Sequence, residues 1–535
     1  MKHIHFIGIC GVGMSALAIL WKKKGWKVTG SDSGFYPPIS THLEENKIDF
    51  YPGWHPEKIG MRHKDPSVSA SRRIPQDDKT NPFGHKPDLV VVGNVASSEN
   101  PEWLFVQKEN IPYLSYPELI AQNLVRKNSI VCAGTYGKTT TAALLSLILK
   151  NAGWKPAYMF GGLAADLDLS ADDDGGDWSV LEGDEYKTSR WDERAKFFSY
   201  KPTRLLLTAV NWDHADVYPT EESYFEAFKK LIKMIPENGL IVVSENAPLS
   251  VILNEVPKGR SEESLKQTLR DPSASLRSGR DDKTTLPPQD SGGDDKPPRL
   301  VTYGKNPDCD YQYFDIKQIK NGLTFFITHQ NTQYEIQTTQ FGEYMAENIC
   351  GAFALAKEIG VSSEKIIEAV AKFGGLKRRL EKRGRTAAGA DVFDDIAHSP
   401  LKAKSVLATL RQIYKGKIFA VFEPNTGNRQ ISAGPSYHAA FADANEVILP
   451  RLTKIKTPPA PPLIKGGIKG GSKDAVMDGG KLAEVISQTH SAVKLIENDE
   501  ELTRYLKTAA GPEDAIVFLG SHGFRGMIEA ILRSP

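Results

Sequence analysis

One octapeptide limits what this chain can fold into more than any other feature. Ala133-Gly-Thr-Tyr-Gly-Lys-Thr-Thr140 sits between the apolar run Ser129–Ala133 and a segment of 3.6-residue periodicity, Lys138–Ala152. A Gly-rich turn that opens a helix aims unpaired backbone N–H groups at one spot, which makes an anion cradle. In such a turn Lys138 reaches the β- and γ-phosphates of a nucleotide triphosphate, and the Thr139 hydroxyl reaches Mg²⁺. Gly134, Thr135, Tyr136, Gly137 and Thr140 are the remaining expected contacts. Cys132 stands where the first glycine of the commonest form would be. The bland reading of the same residues is a Gly-rich strand–helix turn carrying a surface lysine.

The surroundings fit a chain of parallel α/β units. Short β-branched runs alternate with helical periodicity, which predicts mainly parallel sheets. Strands are expected at His3–Ile9, Lys27–Gly30, Asp88–Gly93, Ser129–Ala133, Ser179–Glu182, Arg204–Val210 and Leu240–Ser244. A third block runs from Asp391–Phe393 through Ile418–Phe422 and Glu446–Leu449 to Ala515–Leu519. With 535 residues this makes three blocks, expected over 1–125, 126–374 and 375–535. Three low-complexity inserts interrupt them at about 62–86, 258–299 and 455–475. The first two contain the near-copies DPSVSASRRIPQDDKT and DPSASLRSGRDDKT. Poor in large apolar residues, the inserts are expected to be disordered and dispensable. A shared docking motif is the alternative.

Composition excludes several classes. Lys+Arg 67 against Asp+Glu 66 leaves a net charge of +1, so nucleic acid is not an expected partner. No apolar run approaches a membrane span, and HIHFIGI runs straight into a Gly-rich turn without a leader pattern. Four scattered cysteines lack metal spacing and read as reduced thiols, so a cytoplasmic location is expected.

A second Gly-rich turn, Gly8-Ile-Cys-Gly11-Val-Gly13-Met-Ser-Ala16, follows the first strand, and Asp32 ends the next one. This spacing suits a dinucleotide with Asp32 on a ribose, a nucleotide-sugar diphosphate, or a purely structural turn. Glu182, Asp184 and Glu185 follow one strand of the middle block, and Asp213-His214-Ala-Asp216 follows the next. Hard oxygen donors and one imidazole beside a phosphate loop suit a second Mg²⁺. Lys377-Arg-Arg-Leu-Glu381 and Asp394-Asp-Ile-Ala-His-Ser-Pro400 add a guanidinium pair and a carboxylate–His turn, or solvated surface charge.

In this order, GT-x-GKTT, E-x-DE, DH-x-D, RR-x-E and DD-x-AH-x-P resemble the Mur ligases, ATP-dependent amide-forming enzymes of peptidoglycan synthesis. The resemblance implies a Rossmann-like N-terminal domain, a P-loop ATPase-like centre and a Rossmann-like C-terminal domain. It makes the first turn a UDP-sugar site, with Gly11, Val12, Gly13, Met14, Ser15, Ser31 and Asp32 as contacts. ATP and Mg²⁺ are the implied cofactors. Lys138, Glu182 and His214 are the implied catalytic residues, and Thr139, Glu182 and His214 the metal ligands. Asn348, Arg379, Asp395 and His398 join the phosphate loop in holding ATP. UDP-N-acetylmuramate is the implied acid substrate. GSDSGFYPPIS, DEYKTSRWDERAKF and LGSHGFRGM resemble members whose acceptor is the tripeptide L-alanyl-γ-D-glutamyl-meso-diaminopimelate. L-Alanine is the alternative acceptor, and a non-catalytic binding protein the second alternative.

Departures from the family pattern are specific. Tyr344 and Met345 replace an expected HN pair, Ala209 and Asn211 stand for an Asn and a Glu upstream of DH, and Tyr136 takes a His position. Asn425–Arg429 reads NTGNR where RSNT is usual. Lys229, fifteen residues after His214, has the spacing of a carbamylated lysine in some members, or is a solvated helix lysine beside Lys230. Arg429 and Arg525 are the cations offered for a tripeptide's extra carboxylates.

Overall fold

The structure, a computed structural model, describes residues 1–35, 39–59, 86–214, 217–248, 298–453 and 476–533. The three expected inserts fall almost wholly outside these residues, as does Asp216.

The first sheet holds β1 (His3–Ile7), β2 (Lys27–Asp32), β3 (Asp49–Pro52), β4 (Leu89–Val92) and β5 (Tyr113–Ser115). Its order is β3-β2-β1-β4-β5, and every neighbouring pair is parallel. All five residues of β1 are buried, as both faces of a central parallel strand must be. The expected strand was longer. It stops at Ile7 because Gly8 turns to φ +89°, where its N–H and that of Ile9 both donate to the Ser31 carbonyl. Strand order reverses at β1, so the crevice of an open sheet opens at its carboxyl end.

The second sheet holds β6 (Asn128–Ala133), β7 (Ala157–Met159), β8 (Ala171–Asp173), β9 (Trp178–Gly183), β10 (Arg204–Leu207), β11 (Leu240–Ser244), β12 (Arg299–Gly304), β13 (Tyr311–Ile319), β14 (Gly322–His329) and β15 (Thr332–Thr338). Parallel β6 lies between β9 and β10, which again sets the switch point beside a Gly-rich turn. β10 ends three residues sooner than expected. The chain after Leu207 leaves the ladder to hold the phosphate loop, the Ala209 carbonyl accepting from Thr135 N–H at 2.8 Å. The periodicity reading assigns no strand between Ser244 and Leu376, yet β12 to β15 lie there. In β13 buried and more exposed residues alternate, so each apolar face is diluted by polar neighbours.

The third sheet has the order β16-β17-β21-β18-β19-β20, with β16 (Glu381–Arg385), β17 (Asp391–Asp395), β18 (Ile418–Glu423), β19 (Glu446–Pro450), β20 (Val493–Ile496) and β21 (Ala515–Gly520). Only β16 is antiparallel. These are three α/β domains with mostly parallel sheets. The chain forms two compact units, one of Met1–Ile316, Phe325–Thr338 and Tyr344–Gly374, the other of Lys317–Thr324, Thr339–Glu343 and Gly375–Pro535. Within the first unit, Asp173 of β8 pairs with Lys24 at 2.7 Å and Arg126 at 2.5 Å, fastening the helix Val12–Lys23 to the second sheet. Among the described residues, no helix is long and apolar enough to cross a membrane.

Candidate active site

The loop after β6 has the backbone its glycines permit. Gly134 (φ +133°) and Gly137 (φ +83°) occupy the left-handed half of φ space. A Cβ on Gly134 would lie 2.1 Å from Thr208 Oγ1, and one on Gly137 2.3 Å from Asn348 Oδ1. Gly137 caps the helix Lys138–Asn151, and no side chain covers that cap. The loop therefore keeps free N–H donors at a helix N-terminus. Lys138 curls over it, its Nζ donating to the carbonyls of Gly134 at 2.6 Å and Thr135 at 3.2 Å. Tyr136 is exposed and Thr140 half-buried.

Thr135 departs from its expected role. Its N–H is taken by Ala209, and its hydroxyl donates to the Asn211 carbonyl at 2.6 Å and meets the Tyr224 hydroxyl at 2.9 Å. It braces the loop and has no donor left for a phosphate. This also explains why the unusual residues at 209 and 211 are tolerated here. Both act through backbone groups, which any side chain supplies.

The three carboxylates of the acidic cluster take separate partners. Glu182 accepts from the Thr139 hydroxyl at 2.6 Å and from Gly161 N–H at 2.5 Å. Burial pushes its carboxyl above the usual range, against the pull of the Thr139 bond. Glu185, only 1% exposed, stands 3.0 Å from Lys138 Nζ and 3.5 Å from His214 Nε2. The hydrogen bond with Glu185 raises the His214 pKa, overcoming desolvation. Asp184 is pulled below the ordinary carboxylate range although burial opposes this, because the Lys196 ammonium binds it. Of the expected metal ligands, Thr139 and Glu182 are therefore bonded to each other, and His214 is paired with Glu185. Among the described residues no three His, Cys, Asp or Glu side chains converge on a metal-sized site. Thr139 and Glu182 are nonetheless two adjacent hard oxygen donors, the set that Mg²⁺ uses together with substrate phosphates. Lys229, half-buried, pairs with Glu226 at 2.6 Å on the same helix.

At the first Gly-rich turn, Gly11 caps the helix Val12–Lys23 without a side-chain bond, and Ser15 turns its hydroxyl back to the Val12 carbonyl at 2.9 Å. Met14 is buried. Asp32 spends its carboxylate on the turn itself, accepting from Cys10 N–H at 2.9 Å and Ser33 N–H at 2.7 Å. Ser31 is fully buried and donates to Glu102. It is therefore turned away from the crevice, contrary to its expected contact with a ligand. Glu102 also accepts from the Tyr51 hydroxyl at 2.8 Å and His55 N–H at 2.8 Å. This buried hub had no signal in the sequence beyond one acidic residue in a helix.

In the second unit the guanidinium pair separates. Arg378 serves the scaffold, donating to the Ser521 carbonyl at 3.0 Å and the His522 carbonyl at 2.8 Å and pairing with Asp394 at 3.3 Å. Arg379 is exposed. Asp395, buried, accepts from Leu380 N–H at 2.6 Å and Ala397 N–H at 2.7 Å, which ties the RR turn to the end of β17. Desolvation lowers the His398 pKa, and its Nδ1 lies 2.8 Å from the Ile396 carbonyl.

Comparison with known proteins agrees with this arrangement. Three family profiles match the chain: "Mur ligase family, catalytic domain" over residues 3–128, "Mur ligase middle domain" over 132–285 and "Mur ligase, glutamate ligase domain" over 378–522. The UDP-N-acetylmuramate–L-alanyl-γ-D-glutamyl-meso-2,6-diaminoheptandioate ligase of Escherichia coli is 31% identical over 80% of each chain. The UDP-N-acetylmuramate–L-alanine ligase of Xanthobacter autotrophicus is 28% identical over 99% of this chain and 96% of its own. In fold, the UDP-N-acetylmuramate–alanine ligase structure from Thermotoga maritima superposes with a TM-score of 0.70, at 20% identity, over 99% of this chain and 98% of that one. A murein peptide ligase from Psychrobacter arcticus gives 0.61 at 23% identity, over 99% and 98%. A phosphate loop with its lysine held over it, in the second of three α/β domains that these profiles match in order, makes this chain a member of the Mur ligase family of ATP-dependent ligases that form carbon–nitrogen bonds.

Proposed function

We propose that this protein joins the carboxylate of UDP-N-acetylmuramate to the amine of L-alanine. ATP phosphorylates the carboxylate, giving an acyl phosphate and ADP. The amine then attacks the acyl carbon, and the C–O bond to phosphate breaks with release of inorganic phosphate and one proton. Phosphorylation is needed because a free carboxylate would have to expel oxide. The observation that carries the reading is Lys138 held over an uncapped helix N-terminus, with Thr139 and Glu182 paired beside it.

Each residue has a task in this scheme. Lys138 and the loop N–H groups hold the phosphates, and positive potential there stabilises charge that builds during transfer. Glu185 keeps Lys138 oriented, and His214 in turn lies against Glu185. Thr139 and Glu182 would hold Mg²⁺, which supplies charge neutralisation between the phosphate oxygens when bound. Asn348 packs against the loop at Gly137 and is assigned to the nucleotide; Arg379, Asp395 and His398 of the second unit keep the nucleotide role that the family resemblance implies. Gly11–Ser15 receive the UDP diphosphate at their helix N-terminus. The block 375–535 is assigned the amine substrate.

L-Alanine is preferred over the tripeptide because the cations offered for extra carboxylates are already used. Arg525 forms two bonds to Asp499, at 2.8 and 2.9 Å, and lies 3.3 Å from Glu423. Arg429 donates to the carbonyls of Thr453 at 2.9 Å and Met477 at 3.2 Å. The test is phosphate release from ATP with UDP-N-acetylmuramate, comparing both acceptors. Turnover with L-alanine at low concentration is expected. A hundredfold preference for the tripeptide would overturn the acceptor assignment, and background turnover with both would overturn the reaction.

A further inference from the structure

Two tyrosines that no motif singled out converge on the space between the two Gly-rich turns. Tyr116 opens the helix Tyr116–Asn123 at the end of the first sheet, and Tyr200 ends a short turn of the second. Tyr116 packs over the first turn so closely that a Cβ on Gly13 would lie 2.4 Å from its hydroxyl oxygen. With Glu182, Asp184, Met159, Leu181 and Gly161, both phenols line one cavity of about 210 Å³. Neither hydroxyl hydrogen-bonds a described residue, although Tyr200 is only 2% exposed. Both hydroxyl oxygens stay open to this cavity, so each can donate to a ligand that enters it.

From this geometry we infer that Tyr116 and Tyr200 bind the substrate, their hydroxyls donating to oxygens of the carboxylate-bearing arm that extends from the sugar. The inference rests on the reading of UDP-N-acetylmuramate as the acid substrate. One wall of the cavity is Tyr116, against the turn assigned to the diphosphate. Glu182, the partner of Thr139 at the phosphate loop, lines the same cavity. A ligand anchored at the first turn and reacting at the second has to cross this space. The cavity has room for a short branched arm. Met159 and Leu181 offer apolar contact for a methyl-bearing arm. Neutral donors suit the place, since a lysine there would pair with Glu182 or Asp184 and be lost to the substrate. A phenol is protonated at neutral pH, so both hydroxyls are available as donors.

The test is calorimetric binding of UDP-N-acetylmuramate, UDP-N-acetylglucosamine (which lacks the acid arm) and UDP to wild type, Tyr116→Phe and Tyr200→Phe. Each phenylalanine keeps the ring and removes one donor. UDP-N-acetylmuramate should lose about tenfold or more in affinity in each variant, with UDP and UDP-N-acetylglucosamine unchanged in Tyr200→Phe and weakened clearly less than UDP-N-acetylmuramate in Tyr116→Phe. UDP affinity also reports that the variants are folded. If all three ligands bind the variants as they bind wild type, or if UDP-N-acetylglucosamine weakens equally, the assignment to the acid arm is overturned. If wild type itself does not bind UDP-N-acetylmuramate, the substrate reading fails and the inference falls with it.

Discussion

Glu185 places a carboxylate, 1% exposed, between the ammonium of Lys138 at 3.0 Å and the imidazole of His214 at 3.5 Å. Its Oε2 makes no well-angled hydrogen bond, so Lys138 is the cation that compensates it. Lys138→Ala should lower kcat by about 10²–10³-fold, the scale for losing a donor aimed at developing charge. It should also destabilise the fold by about 3 kcal/mol, because a buried charge is left alone. Lys138→Ala/Glu185→Gln should recover part of that stability. Simple additivity in chemical denaturation would show that the pair is not coupled.

His214 makes the stability of this region depend on pH. Its folded pKa lies above the unfolded value of about 6.5, so its contribution is complete below about pH 6.5 and is lost as pH rises through the folded pKa. The side chain is 36% exposed, which limits the contribution to about 1 kcal/mol or less. The gap in unfolding free energy between wild type and His214→Gln should therefore shrink on moving from pH 6 to pH 9. A gap that widens over that range would contradict the pairing.

Two glycines with the same backbone separate strain from crowding. Gly137 and Gly153 have φ of +83° and +82°, but only Gly137 faces an obstacle: a Cβ there would meet Asn348 Oδ1 at 2.3 Å, whereas one on Gly153 would meet nothing within 4 Å. Gly153→Ala should cost about 1 kcal/mol from backbone strain and leave ATP affinity intact. Gly137→Ala should cost more and abolish ATP binding. Equal melting temperatures for the two variants would mean that Asn348 does not crowd the loop.

Arg525→Ala should act on stability rather than on acceptor recognition. It exposes Asp499 and leaves Glu423, 1% exposed, without its guanidinium partner. A lower melting temperature with an unchanged KM for L-alanine is the expected outcome. A rise in that KM without loss of stability would place Arg525 on the acceptor.

All four cysteines are free thiols, three of them buried. Burial, with Asp32 nearby, pushes Cys10 up to about 12, and burial raises the other three as well. Thiolates, which carry the reactivity, are thus scarce at pH 8. Iodoacetamide should label the native protein slowly and all four sites after unfolding. Rapid native labelling at Cys10 would mean that the first Gly-rich turn opens.

Local chemistry made much of this protein readable in advance. Apolar runs specified β1, β4, β6, β10, β11, β18 and β21, because a parallel strand buried on both faces needs continuous hydrophobic residues whatever its neighbours are. The two Gly-rich turns were equally legible, since positive φ at Gly8, Gly134 and Gly137 requires glycine wherever the strand leads. The alternating β13 was not, because a one-faced strand looks half polar until its partner is known. Which polar residue faces what was decided only by tertiary structure. Thr135 and Ser31 sit in the right motifs, yet Tyr224 and Glu102, distant in sequence, draw their hydroxyls inward. Arg378 and Arg379 are adjacent and chemically identical, but the backbone turn at Arg378 (φ +60°) sends one guanidinium to the carbonyls beyond β21 and leaves the other exposed. Tyr116 and Tyr200 carry no motif at all, and they meet only because two sheets place their ends around one cavity. A side chain's hydrogen-bonding partner depends on groups that are remote in sequence and close in space, and spacing along the chain does not encode that proximity.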